Sequence, residues 1–241
     1  MSAYNWLIFD ADGTLFDYDA AEMSAFTATL SQYGNAYSEA VHQAYITINA
    51  QLWQEFENGQ VSSQRLRVQR FEEFTAHLAL DIDATTMSRD YLGHLGDHHT
   101  LLPGALKIIE QLAPHFGLAI ATNGIAEVQH SRFSASALRA YFSTMVISDE
   151  VGAAKPDQRF FEALFAAIGN PPKHEVLMIG DGLSSDIAGG NAYGIDTCWF
   201  NPERMRNPDG TQPTYEIEAL ADLLKKPLKG CGLALNNAGG I

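Results

Sequence analysis

Apolar positions along the chain fall into two textures. Residues 6–9, 118–121, 145–148, 176–179 and 197–200 are short, largely apolar runs. Runs of that length are too brief for helices and suit strands buried on both faces. Stretches at 104–113, 125–138, 158–168, 184–193 and 216–226 space their apolar residues as helices do. Strands alternating with helices predict βαβ units, and hence an α/β fold with a five-stranded parallel sheet and right-handed crossovers.

The second texture fills residues 20–99. Strand-like runs stop there, and the pattern predicts amphipathic helices at 21–33, 38–56, 62–78 and 84–95. Gly34-Asn35, Asn58-Gly59 and Asp81-Ile82-Asp83 supply turn chemistry between them, and Ser62 or Ser63 is a natural N-cap for the third helix. An insertion after the first strand overhangs the carboxyl edge of the sheet, a good position for a lid. The expected organisation is a core of residues 1–19 and 100–229, a helical cap of 20–99 and a loose tail of 230–241, rich in Gly, Asn and Ala.

Composition narrows the function classes. The 241 residues, 46% hydrophobic and 18% charged, suffice for one full core with a smaller insert. No apolar run approaches the ~20 residues that span a bilayer, and the first residues lack a signal-peptide pattern, so a cytoplasmic protein without a membrane partner is expected. A net charge of −14 opposes binding to nucleic-acid polymers and anionic surfaces. A small phosphorylated metabolite remains compatible, because a metal ion and one lysine can reverse the potential locally. Cys198 and Cys231 lie far apart with no metal-like clustering, which predicts reduced thiols.

The chemistry gathers where strands end. Asp10-Ala11-Asp12-Gly13-Thr14 places two carboxylates at the end of the first run, just before a glycine and a hydroxyl. Like charges so close oppose joint ionisation unless a cation intervenes. Oxygen-only ligands with a phosphate to share favour Mg2+ over Ca2+. An EF-hand is excluded, since its sixth position would be Leu15 and its twelfth Ala21. The second run ends in Thr122-Asn123-Gly124, a hydroxyl and backbone N–H groups ahead of a helix. Asp149-Glu150 and then Lys155-Pro156 follow the third run; Gly180-Asp181 with Ser184, Ser185 and Asp186 follow the fourth. In an open parallel sheet the carboxyl ends of the strands share one edge, so topology brings these residues together. By contrast, His94, His98 and His99 read as hinge or surface residues rather than zinc ligands. Trp53 and Phe56 read as core of the insertion ahead of a substrate stack, and Arg65, Arg67 and Arg70 as surface and packing residues, the alternative being that one of them reads the substrate.

Taken together, Asp10-Ala-Asp12-Gly-Thr14, Thr122-Asn123, Lys155-Pro156, and Gly180-Asp181 followed by Asp186 resemble the motifs of the haloacid dehalogenase superfamily of phosphohydrolases, across residues 5–200. The segments Trp53 through Asn58-Gly59, Leu102-Pro103-Gly104-Ala105, Ile147-Ser148 through Val151-Gly152, and Thr197-Cys198-Trp199 further resemble its bacterial pyrimidine 5'-nucleotidase branch, several members of which carry an acidic residue at the position of Gly13. The resemblance implies a Rossmann-like three-layer α/β/α core with an inserted helical cap, and a Mg2+-dependent phosphomonoester hydrolase. It implies Asp10 as nucleophile, Asp12 as general acid/base, Thr122 and Asn123 as phosphate ligands and Lys155 as the charge steadying phosphate and nucleophile. Mg2+ would be held by Asp10, the backbone carbonyl of Asp12, and Asp181, with Asp186 in its inner or outer shell. The implied substrate is a nucleoside monophosphate such as UMP, dUMP or dTMP, acted on by a monomer or weak homo-oligomer. The alternatives are a sugar-phosphate or phosphoglycolate phosphatase and, in another class, a catalytically silent phospho-ligand-binding module. Dehalogenation is disfavoured, because Asp12 and the acids of the fourth motif serve phosphate and metal rather than halide.

Overall fold

In a computed structural model that describes residues 4–208, 210–225 and 228, six parallel strands form one sheet in the order β3-β2-β1-β4-β5-β6. The strands are β1 (Trp6–Phe9), β2 (Gly117–Thr122), β3 (Thr144–Ile147), β4 (Val176–Gly180), β5 (Asp196–Phe200) and β6 (Tyr215–Ile217). Between β1 and β2 lie α1 (Tyr18–Gln32), α2 (Glu39–Glu57), α3 (Ser63–His77), α4 (Ala84–Gly96) and α5 (Ala105–Leu112). Further along come α6 (Ala126–Ala135), the single turn α7 (Ser148–Val151), α8 (Gln158–Ala167) and α9 (Ala188–Tyr193).

Alternate residues of the central strands feed two cores, which gives three layers. Leu7 and Phe9 of β1 join Leu118, Ile120, Leu177 and Ile179 under Ile108, Ile109 and Leu112 of α5. Ile8 points the other way, with Ala119, Ala121, Val176 and Met178, toward Phe160, Phe161 and Leu164 of α8. Strands buried on both sides explain why the sequence shows continuous apolar runs.

A third cluster belongs to α1–α4. Ala25, Phe26, Leu30, Tyr45, Phe71, Phe74, Met87 and Tyr91 pack there, joined by Ile125 and Val128 at the start of α6. The chain leaves and re-enters the sheet region along paired segments: Asp17 N donates to Thr100 O at 3.0 Å and Leu102 N to Leu15 O at 2.9 Å. These four helices fall close to their expected bounds, and each is capped by a side chain: Asp17, Ser38, Ser62 and Asp83 accept from the first turns of α1, α2, α3 and α4.

The sheet has six strands where five were expected. In place of the helix expected at 216–226, Tyr215–Ile217 pair with Cys198, Trp199 and Phe200, and a short 3-10 turn follows at Leu220–Leu224. The helix expected from 184 starts instead as a π turn at Leu183–Ile187 that runs into α9. The tail expected at 230–241 and Cys231 lie outside the described residues. Cys198 is buried in β5. Among the described residues no helix is long and apolar enough to cross a membrane.

Candidate active site

The strand order reverses direction between β1 and β4, and at such a switch point the strand ends splay to leave a crevice. Asp10 follows β1 and Asp181 follows β4, and Thr122 closes β2 beside them. A cavity of about 440 Å³ opens there, lined by Asp10, Asp12, Thr122, Asn123, Lys155, Asp181 and Asp186. The seven site residues read from sequence are therefore gathered on one cavity wall.

Lys155 is the hub. Only 1% exposed, its Nζ donates to Asp10 Oδ1, Asp186 Oδ1 and Ala121 O, each at 2.6 Å. Burial works to lower its pKa, but the Asp10 and Asp186 carboxylates outweigh burial and the net shift is upward. Asn123 fixes the Lys155 backbone: Oδ1 accepts from Lys155 N and Nδ2 donates to Lys155 O, both at 2.8 Å. The Asn123 side chain is thus committed to shaping the loop and also reaches Glu57 Oε1 at 3.2 Å. Thr122 differs: its Oγ1 is buried, faces the cavity region and has no hydrogen-bond partner. A buried hydroxyl left so is costly unless a ligand completes it.

Three carboxylates, from Asp10, Asp181 and Asp186, bring oxygen atoms within 4.8 Å of one another. Burial pushes the Asp10 carboxyl well up, and Asp186 and Asp181 add to this against Lys155. Asp181 opens onto the cavity, yet burial of its carboxyl and the nearby Asp186 push it up to about 7. One lysine is too little positive charge for three acids, and an all-oxygen set fits a hard divalent cation. Thr14 and Trp199 hold Asp181 in place: Thr14 Oγ1 donates to its Oδ1 at 3.0 Å and Trp199 Nε1 to its backbone oxygen at 2.9 Å. Gly13 has φ +79°, and a Cβ there would lie 2.4 Å from Asp181 Oδ2. In this backbone a side chain there would crowd the Asp181 carboxylate.

These raised carboxyls have a measurable consequence. Metal-free, the folded protein holds the Asp181 proton more tightly than the unfolded chain does. The associated stability is present below the ordinary aspartate range and is lost as pH rises toward about 7. Mg2+ is therefore expected to raise the melting temperature more at about pH 8 than at about pH 5. Equal shifts in a fluorimetric melt would contradict this cluster as the cation site.

Asp12 turns away from the three acids. Its Oδ2 accepts from Gln129 Nε2 at 2.6 Å, and its Oδ1 accepts from Arg132 Nη1. Arg132 is 1% exposed and also donates from Nε to His98 O at 2.7 Å, tying the returning linker to the same network. Gln129 and Arg132 escaped the sequence reading. The available signal was their i, i+3 spacing on the buried face of α6, beside Val128 and Phe133.

Helices α1, α2 and α3 contribute the opposite wall. Tyr18, Glu22, Asn49, Trp53, Glu57 and Arg70 line the cavity, so Trp53 faces the site rather than only the insertion core. The three arginines part company. Arg65 is exposed against Glu72, while Arg70 is fully buried. Arg67 bridges from α3 to Asp149, which also accepts from Ser63 Oγ and from Ala126 N at 3.1 Å. Asp149 therefore lies on the seam between the insertion and the sheet layers. His94 contacts Gln32 on the surface, away from these acids.

The family model described as haloacid dehalogenase-like hydrolase matches residues 4–194. The pyrimidine 5'-nucleotidase PynA of Streptococcus pneumoniae is 38% identical over 222 residues, covering 92% of this chain and 94% of that one. The pyrimidine 5'-nucleotidase YjjG of Escherichia coli is 33% identical over 220 residues, covering 91% and 96%. Among solved structures, the putative HAD-hydrolase YfnB of Bacillus subtilis bound to magnesium aligns with a TM-score of 0.86 at 33% identity, covering 92% of this chain and 97% of that one.

Proposed function

The chain belongs to the haloacid dehalogenase-like hydrolases, and from that premise we propose that it is a Mg2+-dependent 5'-nucleotidase for pyrimidine nucleoside monophosphates such as UMP, dUMP and dTMP. The observation that carries the proposal is the pairing of a buried, lysine-bound Asp10 with an unpartnered Thr122 hydroxyl at one cavity wall. Two relatives named as pyrimidine 5'-nucleotidases support the choice of leaving group. The division into a core of 1–19 and 100–229 and a cap of 20–99 belongs to the same proposal, with the paired segments at Asp17 and Leu102 as its hinge.

In this mechanism the Thr122 hydroxyl binds a phosphate oxygen, and the Lys155 ammonium, its three donors held by Asp10, Asp186 and the Ala121 carbonyl, steadies the charge of phosphate and nucleophile while phosphorus sits in line with Asp10. Asp10 attacks phosphorus, and the bond from phosphorus to the nucleoside 5'-oxygen breaks. Asp12 gives that oxygen a proton as it leaves. The product on Asp10 is an aspartyl-phosphate, which divides one hard displacement into two easier ones. Asp12, now a base, takes a proton from water, which displaces phosphate and restores Asp10. Gln129 and Arg132 hold Asp12 to one side of Asp10, so the two acids take separate roles. Mg2+ bound by Asp10, Asp181 and the Asp12 backbone carbonyl, with Asp186 directly or through water, would supply neutralisation of the phosphoryl oxygens.

A phosphate-release screen over nucleotides and sugar phosphates, with Mg2+ or with EDTA, tests the proposal. Release from UMP, dUMP and dTMP ahead of ribose 5-phosphate and phosphoglycolate, lost in EDTA, is the expected outcome. A preference for sugar phosphates would contradict the nucleotidase assignment. No release from any phosphomonoester would contradict catalysis altogether.

A further inference from the structure

The mechanism above leaves the far wall of the cavity without a task. That wall carries buried groups whose hydrogen-bonding capacity is unused. Arg70, on α3, is 1% exposed and makes no ion pair among the described residues. Its Nη1 donates to Asn49 Oδ1 at 3.2 Å, and its guanidinium lies over the Phe71 and Tyr91 rings at 5.2 and 4.8 Å. Its Nε and Nη2 are buried with no partner. Those two N–H groups form one edge of the planar guanidinium, the edge that meets two lone pairs lying in a plane.

Glu22, on α1, is 6% exposed. Its Oε2 pairs with His42 Nε2 at 2.9 Å, while its Oε1 is buried and has no partner. Glu22, Asn49 and Arg70 line the same cavity as Asp10 and Asp12. Tyr18, on α1, joins them in the lining of that cavity. Trp53 of α2, half-buried, adds a flat apolar surface to the same wall.

Resting on the nucleotidase reading, we infer that this wall is the leaving-group subsite, where Arg70 donates to a ring carbonyl and Glu22 accepts from the neighbouring ring N–H. An acceptor beside a donor on one planar edge is what the imide of uracil and thymine presents. The rigid fork supplies donors only, and the carboxylate supplies an acceptor only, so the pair demands that order of groups. The hydroxyls of a sugar phosphate offer no such fixed, planar edge, and they leave the Trp53 face bare. Arg70 and Glu22 are specificity-determining residues in this inference and take no part in breaking the phosphate ester.

The test compares UMP, N3-methyl-UMP, ribose 5-phosphate and p-nitrophenyl phosphate on the wild-type protein, Arg70→Lys and Glu22→Gln. Methylating N3 removes the donor without touching the phosphate. It is expected to lower kcat/KM of the wild type by about tenfold or more, mainly through KM, because Glu22 Oε1 is then left without its partner. Arg70→Lys keeps the charge but loses the fork, and is expected to lower kcat/KM for UMP relative to p-nitrophenyl phosphate by about 10- to 100-fold. Glu22→Gln is expected to narrow the gap between UMP and N3-methyl-UMP. Equal kcat/KM for UMP and its N3-methyl derivative would overturn the subsite, as would an Arg70→Lys variant that loses UMP and p-nitrophenyl phosphate in equal measure. Should Arg70→Lys fail to fold, the methylation comparison on the wild type decides alone. A wild type that prefers ribose 5-phosphate to UMP overturns the nucleotidase reading and the subsite with it. A wild type that prefers UMP but ignores N3 methylation overturns the subsite only.

Discussion

Asp10→Asn is expected to abolish turnover, by a factor of about 10^4 or more, while raising the melting temperature of the metal-free protein. The amide cannot attack phosphorus, so no phosphoenzyme forms. The stability change has a separate cause. Burial disfavours the ionised Asp10 carboxyl, and Asp186 and Asp181 add repulsion that Lys155 only partly offsets. A neutral side chain of the same shape removes that strain and still offers Oδ1 to Lys155. Loss of activity with a gain in stability marks a group kept for chemistry against the interest of the fold. Phosphate release in Mg2+ and a melt in EDTA near neutral pH measure the two effects. Retained activity would contradict Asp10 as nucleophile, and a lower melting temperature would contradict the electrostatic reading.

Lys155→Met carries the largest expected effect on stability. The ammonium is bonded to two carboxylates and to the Ala121 carbonyl, all out of contact with bulk water. Methionine fills much the same volume but leaves those acceptors unpaired. Removing one partner of a buried ion pair costs about 3–5 kcal/mol. In a chain of this size that lowers the melting temperature by roughly 6–20 °C. Adding Asp186→Asn removes one of the stranded charges, so the double variant is expected to melt above Lys155→Met alone. A single variant that melts within about 2 °C of wild type would show that Lys155 does not neutralise this cluster.

The catalytic wall was legible in sequence because its logic is topological. Parallel strands place their carboxyl ends on one edge, so topology alone gathers Asp10, Thr122, Lys155 and Asp181. The facing wall was not legible. Periodicity assigns charged residues on a helix to solvent, and nothing local distinguishes Arg65, which is exposed against Glu72, from Arg67, which bridges to Asp149, or Arg70, which is buried against Asn49. Only the packing of α1, α2 and α3 against one another separates those fates. Glu22 and His42 likewise find each other across twenty positions. The sixth strand escaped for a simpler reason: Tyr215–Ile217 is three residues long and takes its conformation from pairing with β5. At 183–187 the π turn has no periodic signature of its own. It coincides with the place where Gly182 N donates to Asp186 Oδ2 at 3.0 Å, which turns that carboxylate back under the site.

The central claim, that Asp10 carries the phosphoryl group while Asp12 moves protons, is tested most directly by mixing Asp12→Asn with p-nitrophenyl phosphate and Mg2+ in a stopped-flow instrument. Nitrophenolate departs without needing a proton, so the first displacement proceeds; hydrolysis of the aspartyl-phosphate still needs a base to take the proton of water. The expected record is a burst of about one equivalent of nitrophenolate per enzyme, then turnover slowed by about 10^2–10^4, with the phosphoryl group found by mass spectrometry on the peptide containing Asp10. Steady turnover with no burst and no phosphoryl group on Asp10 would contradict it.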